Sequence, residues 1–193
     1  MKYDIRAADV LTRGEHFRVH GNGFIQVDMP EGLRVNIWGH PDIPRQVNST
    51  QIHNHRFSFR SKILHGKLVN STYEAFKRKV GTHDAYRAVP RDGEDTEMVF
   101  DHSLWVVKKS IMLIERMQGY HLEKYVFHET FVNCPTVTLM QKVDVDPGYE
   151  PFVLSPAGMP VDNEFNRYKS ASVDDLRRIT QQVFAYWGDV YQL

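Results

Sequence analysis

Apolar and polar side chains alternate over short stretches through most of the chain between about Phe17 and Leu154. A period of two is typical of β-strands that bury one face. The stretch 17–30 predicts a hairpin, because Gly21-Asn22-Gly23 supplies residues that tolerate the positive φ of a tight turn. Further strands are predicted where β-branched and aromatic residues concentrate: GLRVNIWG, KLVNSTYEAF, EMVF, LWVVKKSIMLIERM and TVTLMQKVDV. The segments HPDIPRQVNST and VPRDGEDTE are rich in proline and polar residues and predict loops.

Only two helices are predicted, a short one near Ile5–Arg13 and a longer one in the C-terminal segment 172–190. Ser172 is a favourable N-cap for the second helix. Its apolar residues recur at helical spacing on one face: Leu176, Ile179, Val183 and Trp187. Many short antiparallel strands followed by one amphipathic helix predict an all-β barrel or sandwich with a helix packed outside. We expect residues 1–165 to form this barrel and 166–193 to form a helical extension.

Composition narrows the classes of function. Lys plus Arg and Asp plus Glu each number 24 in 193 residues, which argues against a nucleic-acid or membrane-surface binder. The chain has neither an apolar run of membrane-spanning length nor a signal-peptide pattern, so we expect a soluble cytoplasmic protein. Cys134 is the only cysteine, which excludes an intramolecular disulfide and a thiolate zinc cluster. Any bound metal must therefore be held by histidines and carboxylates.

The stretch IHNHRFSFRSKILHG, residues 52–66, contains three histidines at odd positions together with its aromatic rings. Most of its charged residues stand at even positions. On an extended chain His53 and His55 would therefore share the inner face and could bind one ion. His65 lies ten residues beyond His55, which is too far along a strand for the same ion, so we expect a core or pocket residue there. Each histidine has an ordinary alternative as a hydrogen-bonded interior residue.

The spacing of His53, His55, Phe59 and Gly66 resembles the first motif of the cupin superfamily. The resemblance implies a double-stranded β-helix, or jelly-roll barrel, in which His53 and His55 bind a metal. Cupins that bind metal usually have a glutamate ligand at the position of Phe59. Its replacement by phenylalanine implies a three-histidine site with open positions for substrate or water.

The segment GYHLEKYVFHETFVNCPTVTLMQK, residues 119–142, resembles the second cupin motif in degenerate form and implies His128 as the third ligand. His121 is the competing candidate. Within the superfamily, RVNIWGHP together with IHNHRFSFRSKILHGKLVN is most similar to the three-histidine thiol dioxygenases. Those enzymes carry a serine–histidine–tyrosine relay on one strand. This chain has other residues at those positions, namely Thr138, Met140 and Lys142.

A three-histidine site implies a divalent transition metal, most favourably Fe(II), with zinc, nickel or manganese as alternatives. We expect a mononuclear non-haem iron oxygenase that binds a small organic substrate at the metal. The alternatives are a metal-dependent isomerase, lyase or hydrolase, and a non-enzymatic ligand-binding or assembly module. The exposed strand edges of such a barrel favour a homodimer. Four residues are candidates for the substrate pocket: Phe59, Tyr73, Tyr120 and Gln26.

Overall fold

The computed structural model describes residues 5, 7–20, 22–43, 52–90, 96–159, 161, 168–169 and 171–186. Within these ranges there are two α-helices, α1 (Ala7–Arg13) and α2 (Val173–Tyr186), and Pro30–Gly32 forms one 3-10 turn. Between the two helices, the described residues form twelve strands: β1 (His16–His20), β2 (Phe24–Asp28), β3 (Leu33–Trp38), β4 (Phe57–His65), β5 (Lys67–Lys77), β6 (His83–Pro90), β7 (Thr96–Glu115), β8 (Gly119–Leu122), β9 (Phe127–Phe131), β10 (Thr136–Val145), β11 (Phe152–Pro156) and β12 (Tyr168–Lys169).

The strands form two sheets in which every pairing is antiparallel. The seven-stranded sheet has the order β12-β1-β2-β3-β10-β4-β8, and the five-stranded sheet has the order β11-β6-β7-β5-β9. The hairpin predicted over 17–30 is formed by β1 and β2. The predicted all-β fold, a jelly-roll-type sandwich with a short N-terminal helix and a C-terminal amphipathic helix, is confirmed.

Gly66 is the corner at which the chain passes from one sheet into the other. It joins β4 of the seven-stranded sheet to β5 of the five-stranded sheet and has a φ of 73°. A Cβ atom at this position would lie 2.3 Å from the carbonyl oxygen of Pro135. Glycine is therefore required both by the backbone conformation and by the close approach of a second chain segment.

Two details of the predicted strands are wrong. EMVF and LWVVKKSIMLIE of the next predicted segment belong to one strand, β7, which accommodates register shifts opposite Thr72/Tyr73 and Ala85/Tyr86 instead of ending. β6 lies over 83–90, a segment for which the sequence pattern predicts no strand. The reason is long-range pairing: β6 is bonded on both sides, to β7 and to β11, which outweighs its low apolar content.

The largest buried apolar cluster lies between the seven-stranded sheet and the helices. Ile25 and Leu139 belong to this cluster together with Leu176 of α2. The alternate residues of the same strands, such as Gln26 and Asn36, are also buried but are polar. Since successive side chains of a strand point to opposite faces, these polar residues lie on the side that faces the five-stranded sheet.

Helix α2 begins as its sequence predicts. The Ser172 Oγ accepts a hydrogen bond from the Asp175 backbone N–H at 3.1 Å and donates to the Asp175 carboxylate at 2.6 Å. The apolar face is buried at Leu176, Ile179 and Val183.

Some predicted features lie outside the described residues. They are Trp187 of the C-terminal segment, Gly21 of the hairpin turn, and residues 44–50 and 91–95 of the two predicted loops. No helix in the described ranges has both the length and the apolar character needed to cross a membrane.

Candidate metal centre

His53 and His55 lie in an extended segment just before β4, not within the strand that the alternation predicts to include them. His53 is bridged directly to His128 of β9. The His53 N–H donates to the His128 carbonyl at 3.0 Å, and the His128 N–H donates to the His53 carbonyl at 2.8 Å. Two of the predicted ligands are thus connected through their backbones.

Asn54 holds the segment between the two histidines in place. Its side chain is buried, with Nδ2 donating to the Tyr149 hydroxyl at 2.8 Å and Oδ1 accepting from the Phe152 N–H at 2.8 Å. The Asn54 N–H also donates to the Phe152 carbonyl at 3.0 Å. Because neighbouring side chains of an extended segment point in opposite directions, anchoring Asn54 turns both His53 and His55 the other way.

The rings of His53, His55 and His128 converge. Each offers a ring nitrogen, and these nitrogens all lie within 4.8 Å of one another. The Nε2 atoms of His55 and His128 are 3.0 Å apart. Two nitrogens that each lie about 2.1 Å from one ion, at coordination angles of roughly 90–110°, are separated by about 3.0–3.4 Å. The His55–His128 pair therefore has the spacing that one transition-metal ion requires, and His53 offers a third nitrogen close to both.

The orientation of His128 is set from β5. His128 is 3 % exposed, and its Nδ1 lies 2.9 Å from Oδ1 of Asn70. An amide oxygen only accepts, so Nδ1 carries the proton and the Nε2 lone pair remains available to a metal. Burial lowers the pKa of His128 well below its ordinary value, and the charge of nearby His53 acts in the same direction. His128 is therefore neutral at neutral pH, as a ligand must be.

Asn70 is a site residue that the sequence does not predict. It lies four residues after Gly66, and it is as buried as the apolar residue Leu68 two positions earlier on the same face of β5. Its polar side chain on the inner face of a predicted strand is the one feature of the sequence that could have pointed to it.

Phe59, which occupies the position of the cupin glutamate, is 4 % exposed. Its ring centroid lies 5.6 Å from that of His55 and 6.0 Å from that of His128. In the part of the chain that the structure describes, no carboxylate joins the three histidines. An apolar ring thus stands beside the site instead of a fourth protein ligand.

A cavity of about 70 Å³ adjoins the three histidines. Apolar side chains from both sheets line it, among them Phe24, Leu68 and Met140. Tyr120 also lines it, and burial raises the pKa of Tyr120 to about 12 although a hydrogen bond with Ser61 acts the other way. This phenol keeps its proton and can donate a hydrogen bond.

Two of the predicted pocket residues lie elsewhere. Gln26 is 1 % exposed, donates to the Asp28 carboxylate at 3.4 Å and does not line the cavity. Tyr73 follows Thr72, the cross-strand partner of His128, and so lies on the other face of β5. Its hydroxyl donates to the Glu129 carboxylate. Phe59 and Tyr120, the other two, do line the cavity.

The competing ligand His121 lies on β8 with an exposed side chain, 3.5 Å from the Glu123 carboxylate. It is not part of the histidine cluster. His65 is half-buried at the end of β4 and also lies outside the cluster. Burial and, to a smaller extent, Arg116 lower the pKa of His65.

No protein-family model and no curated protein matches this chain. Two solved structures that it resembles are hydroquinone 1,2-dioxygenases. One is PnpCD in complex with Cd2+ and 4-hydroxybenzonitrile, with 11 % identity over 75 % of this chain and 74 % of that chain, and a TM-score of 0.33. The other is the enzyme from Sphingomonas sp. TTNP3 with 4-hydroxybenzoate bound, with 9 % identity over 76 % of this chain and 81 % of that chain, and a TM-score of 0.34. A likeness this distant does not assign an activity to the chain.

Proposed function

We propose that this chain is a metal-binding cupin that acts as a mononuclear non-haem iron oxygenase on a small organic substrate. The observation that carries the proposal is the convergence of His53, His55 and His128, whose ring nitrogens lie within 4.8 Å of one another beside a cavity. The sequence resemblance to three-histidine thiol dioxygenases supports iron. Zinc, nickel and manganese also accept three imidazoles.

The donor set favours a particular kind of substrate. Three neutral imidazoles leave the charge of a divalent ion uncompensated, so the metal would favour an anionic oxygen or sulfur of the substrate. Three protein ligands also leave coordination positions open. Fe(II) bound here would supply the one-electron chemistry that activation of dioxygen needs.

The chain's own residues would prepare the site. Asn70 holds His128 in the tautomer that presents Nε2. Phe59, Leu68 and Met140 surround the site with apolar surface and restrict water. Tyr120 keeps its proton and could donate to a substrate oxygen in the cavity.

Elemental analysis of tag-free protein is the first test. We expect one transition-metal ion per chain, lost in the double variant His53→Ala/His55→Ala. The variant His121→Ala is the matched control, since it removes an imidazole outside the cluster, and it should retain the metal. A native chain that takes up no transition metal under any loading condition would contradict the proposal and favour a non-enzymatic module.

Oxygen consumption is the second test. Protein reconstituted with Fe(II) should consume oxygen with at least one member of a panel of thiols, β-diketones and phenols, and the double variant should not. Stoichiometric metal without oxygen uptake on the whole panel would favour an isomerase, lyase or hydrolase, in which a metal polarises a carbonyl or activates water.

A further inference from the structure

Strand β3 contributes two buried polar atoms to the cavity wall that have no use in the metal centre. Asn36 and Trp38 both line the cavity. Neither the Asn36 Oδ1 nor the Trp38 Nε1 has a hydrogen-bond partner among the described residues, although both atoms are buried. Asn36 as a whole is 6 % exposed. Folded proteins seldom leave buried polar atoms unpaired, so these two atoms need a hydrogen-bond partner from outside the described residues, and the cavity that they line has room for one.

Both side chains are held in place by neighbours. The Asn36 Nδ2 donates to the Thr138 hydroxyl at 3.3 Å, which fixes the amide and leaves Oδ1 as the free acceptor. The Trp38 ring packs on Phe24 with centroids 3.9 Å apart. Positions 36 and 38 lie on the same face of β3, about 7 Å apart along the strand. A hydroxyl group located between them could accept from the indole N–H and donate to the amide oxygen.

This pair lies away from the histidines along the sheet. Asn36 is paired with Thr138, and Phe59 is paired with Lys142 on the same strand, β10. These two partners are four positions apart, which corresponds to about 13 Å along the strand. Phe59 contacts the histidine rings, so Asn36 and Trp38 mark the other end of the cavity.

The cavity favours an uncharged group at this end. None of its described lining residues is Asp, Glu, Lys or Arg. Histidines, including His20 stacked on Phe24, are the only ionisable side chains other than Tyr120 among the described lining residues, so a carboxylate or ammonium group beside Asn36 and Trp38 would meet no permanently charged counter-ion, which is unfavourable. A neutral hydroxyl satisfies both atoms and leaves no charge unpaired.

We propose that Asn36 and Trp38 form a subsite for a neutral hydroxyl group of the substrate. The substrate class is a largely apolar, preferably aromatic molecule with a metal-binding oxygen or sulfur at one end and a hydroxyl at the other. The metal-binding end rests on the proposed function, whereas the hydroxyl subsite stands without a metal.

Calorimetric titration with three matched probes tests the subsite in zinc-loaded and in metal-free protein. The probes are 4-(2-hydroxyethyl)phenol, 4-propylphenol, in which a methyl replaces the hydroxyl, and 4-hydroxyphenylacetate, which carries a carboxylate. The native chain should bind the hydroxyl probe at least about tenfold more tightly than the methyl probe, and the carboxylate probe most weakly. The preference for the hydroxyl should persist in the metal-free chain.

Two independent variants, Asn36→Leu and Trp38→Phe, should each reduce this preference to about threefold or less. Gln26→Met is the matched control. Gln26 is the buried cross-strand neighbour of Asn36 but does not line the cavity, so the preference should be unchanged. The comparison of probes on the native chain requires no substitution and therefore does not depend on the folding of a variant.

The subsite is refuted if the native chain binds none of the probes, does not distinguish hydroxyl from methyl, or binds the carboxylate most tightly. It is also refuted if both variants fold and discriminate as the native chain does. A chain that binds no metal but still prefers the hydroxyl probe would overturn the proposed oxygenase alone. A chain that binds metal and shows no such preference would overturn the subsite alone.

Discussion

Replacing Asn70 by alanine tests whether β5 prepares His128 for metal binding. The hydrogen bond between His128 Nδ1 and Asn70 Oδ1 is 2.9 Å long, and Asn70 is only 2 % exposed. Without its acceptor, the buried Nδ1–H would be left unpaired, which costs about 1–3 kcal/mol. The ring could then adopt the tautomer that directs its proton toward the metal. Loss of such a partner typically reduces metal affinity by about 10- to 100-fold, or roughly 1.4–2.8 kcal/mol. We expect the loss of metal affinity in Asn70→Ala to lie within this range.

Competition between the protein and a chromogenic chelator for zinc at pH 7.5 would measure the change. Asn70→Asp keeps an acceptor at this position and should bind zinc at least as tightly as the native chain. Ser71→Ala is the matched control, because Ser71 is also buried but lies on the opposite face of β5. A folded Asn70→Ala variant with native zinc affinity, or an equal loss in Ser71→Ala, would refute the assigned role of the hydrogen bond.

Three further predictions concern stability. The pKa of His128 is lowered from 6.5 by burial, so below that pH the unfolded chain binds a proton that the folded chain does not. Metal-free protein should therefore lose up to about 1.4 kcal/mol for each pH unit below 6.5 until the folded pKa is reached, and His128→Gln should lose less in urea unfolding at pH 5.5 and 7.5. Equal pH dependence in both proteins would contradict the burial argument. Gly66→Ala should destabilise the chain by about 2 kcal/mol more than Gly32→Ala, since both positions have positive φ but only Gly66 has a carbonyl oxygen 2.3 Å from the added Cβ. Equal denaturation midpoints would show that the Pro135 segment moves away freely. Asn54→Ala removes the three side-chain hydrogen bonds that anchor the segment between His53 and His55, and should lower stability by about 2–4 kcal/mol. Arg56 is exposed, and Arg56→Ala should change the stability by less than about 0.5 kcal/mol. Thermal unfolding of both variants measures the difference, and similar losses of stability in the two would contradict an anchoring role for Asn54.

Local alternation was sufficient to predict much of β4 and the segment before it. The inward positions Phe57, Phe59 and Ile63 are buried, and Gly66 ends the strand, as the sequence indicates. The pair of histidines one residue apart was also visible, because two residues of an extended chain that are separated by one share a face.

The choice between His121 and His128 could not be made from spacing alone. It depends on the backbone bridge between His53 and His128, which joins residues 75 positions apart in the chain. Tyr73 shows the same limit, since its face of β5 is decided by the pairing of Thr72 with His128. Such long-range pairings leave no local pattern.

The sequence does not identify Asn36 and Trp38 as cavity residues, for a different reason. Strands β2, β3 and β10 are buried on both faces because the helices cover the side that would otherwise meet solvent. On such strands, the polar residues that alternation would place in water are instead buried. The sequence does not distinguish these two situations until the position of α2 is known.

The placement of the main apolar cluster has a consequence for how this protein can change. Much of the apolar burial that stabilises the fold lies in the layer between the seven-stranded sheet and the helices, where Ile25, Leu139 and Leu176 pack together. The walls of the cavity belong to a separate layer, between the sheets. Exchanges at Phe24, which lines the cavity outside that cluster, can therefore alter which molecules are accepted without touching the main apolar layer, so that evolution or a directed library could explore new substrates from this position.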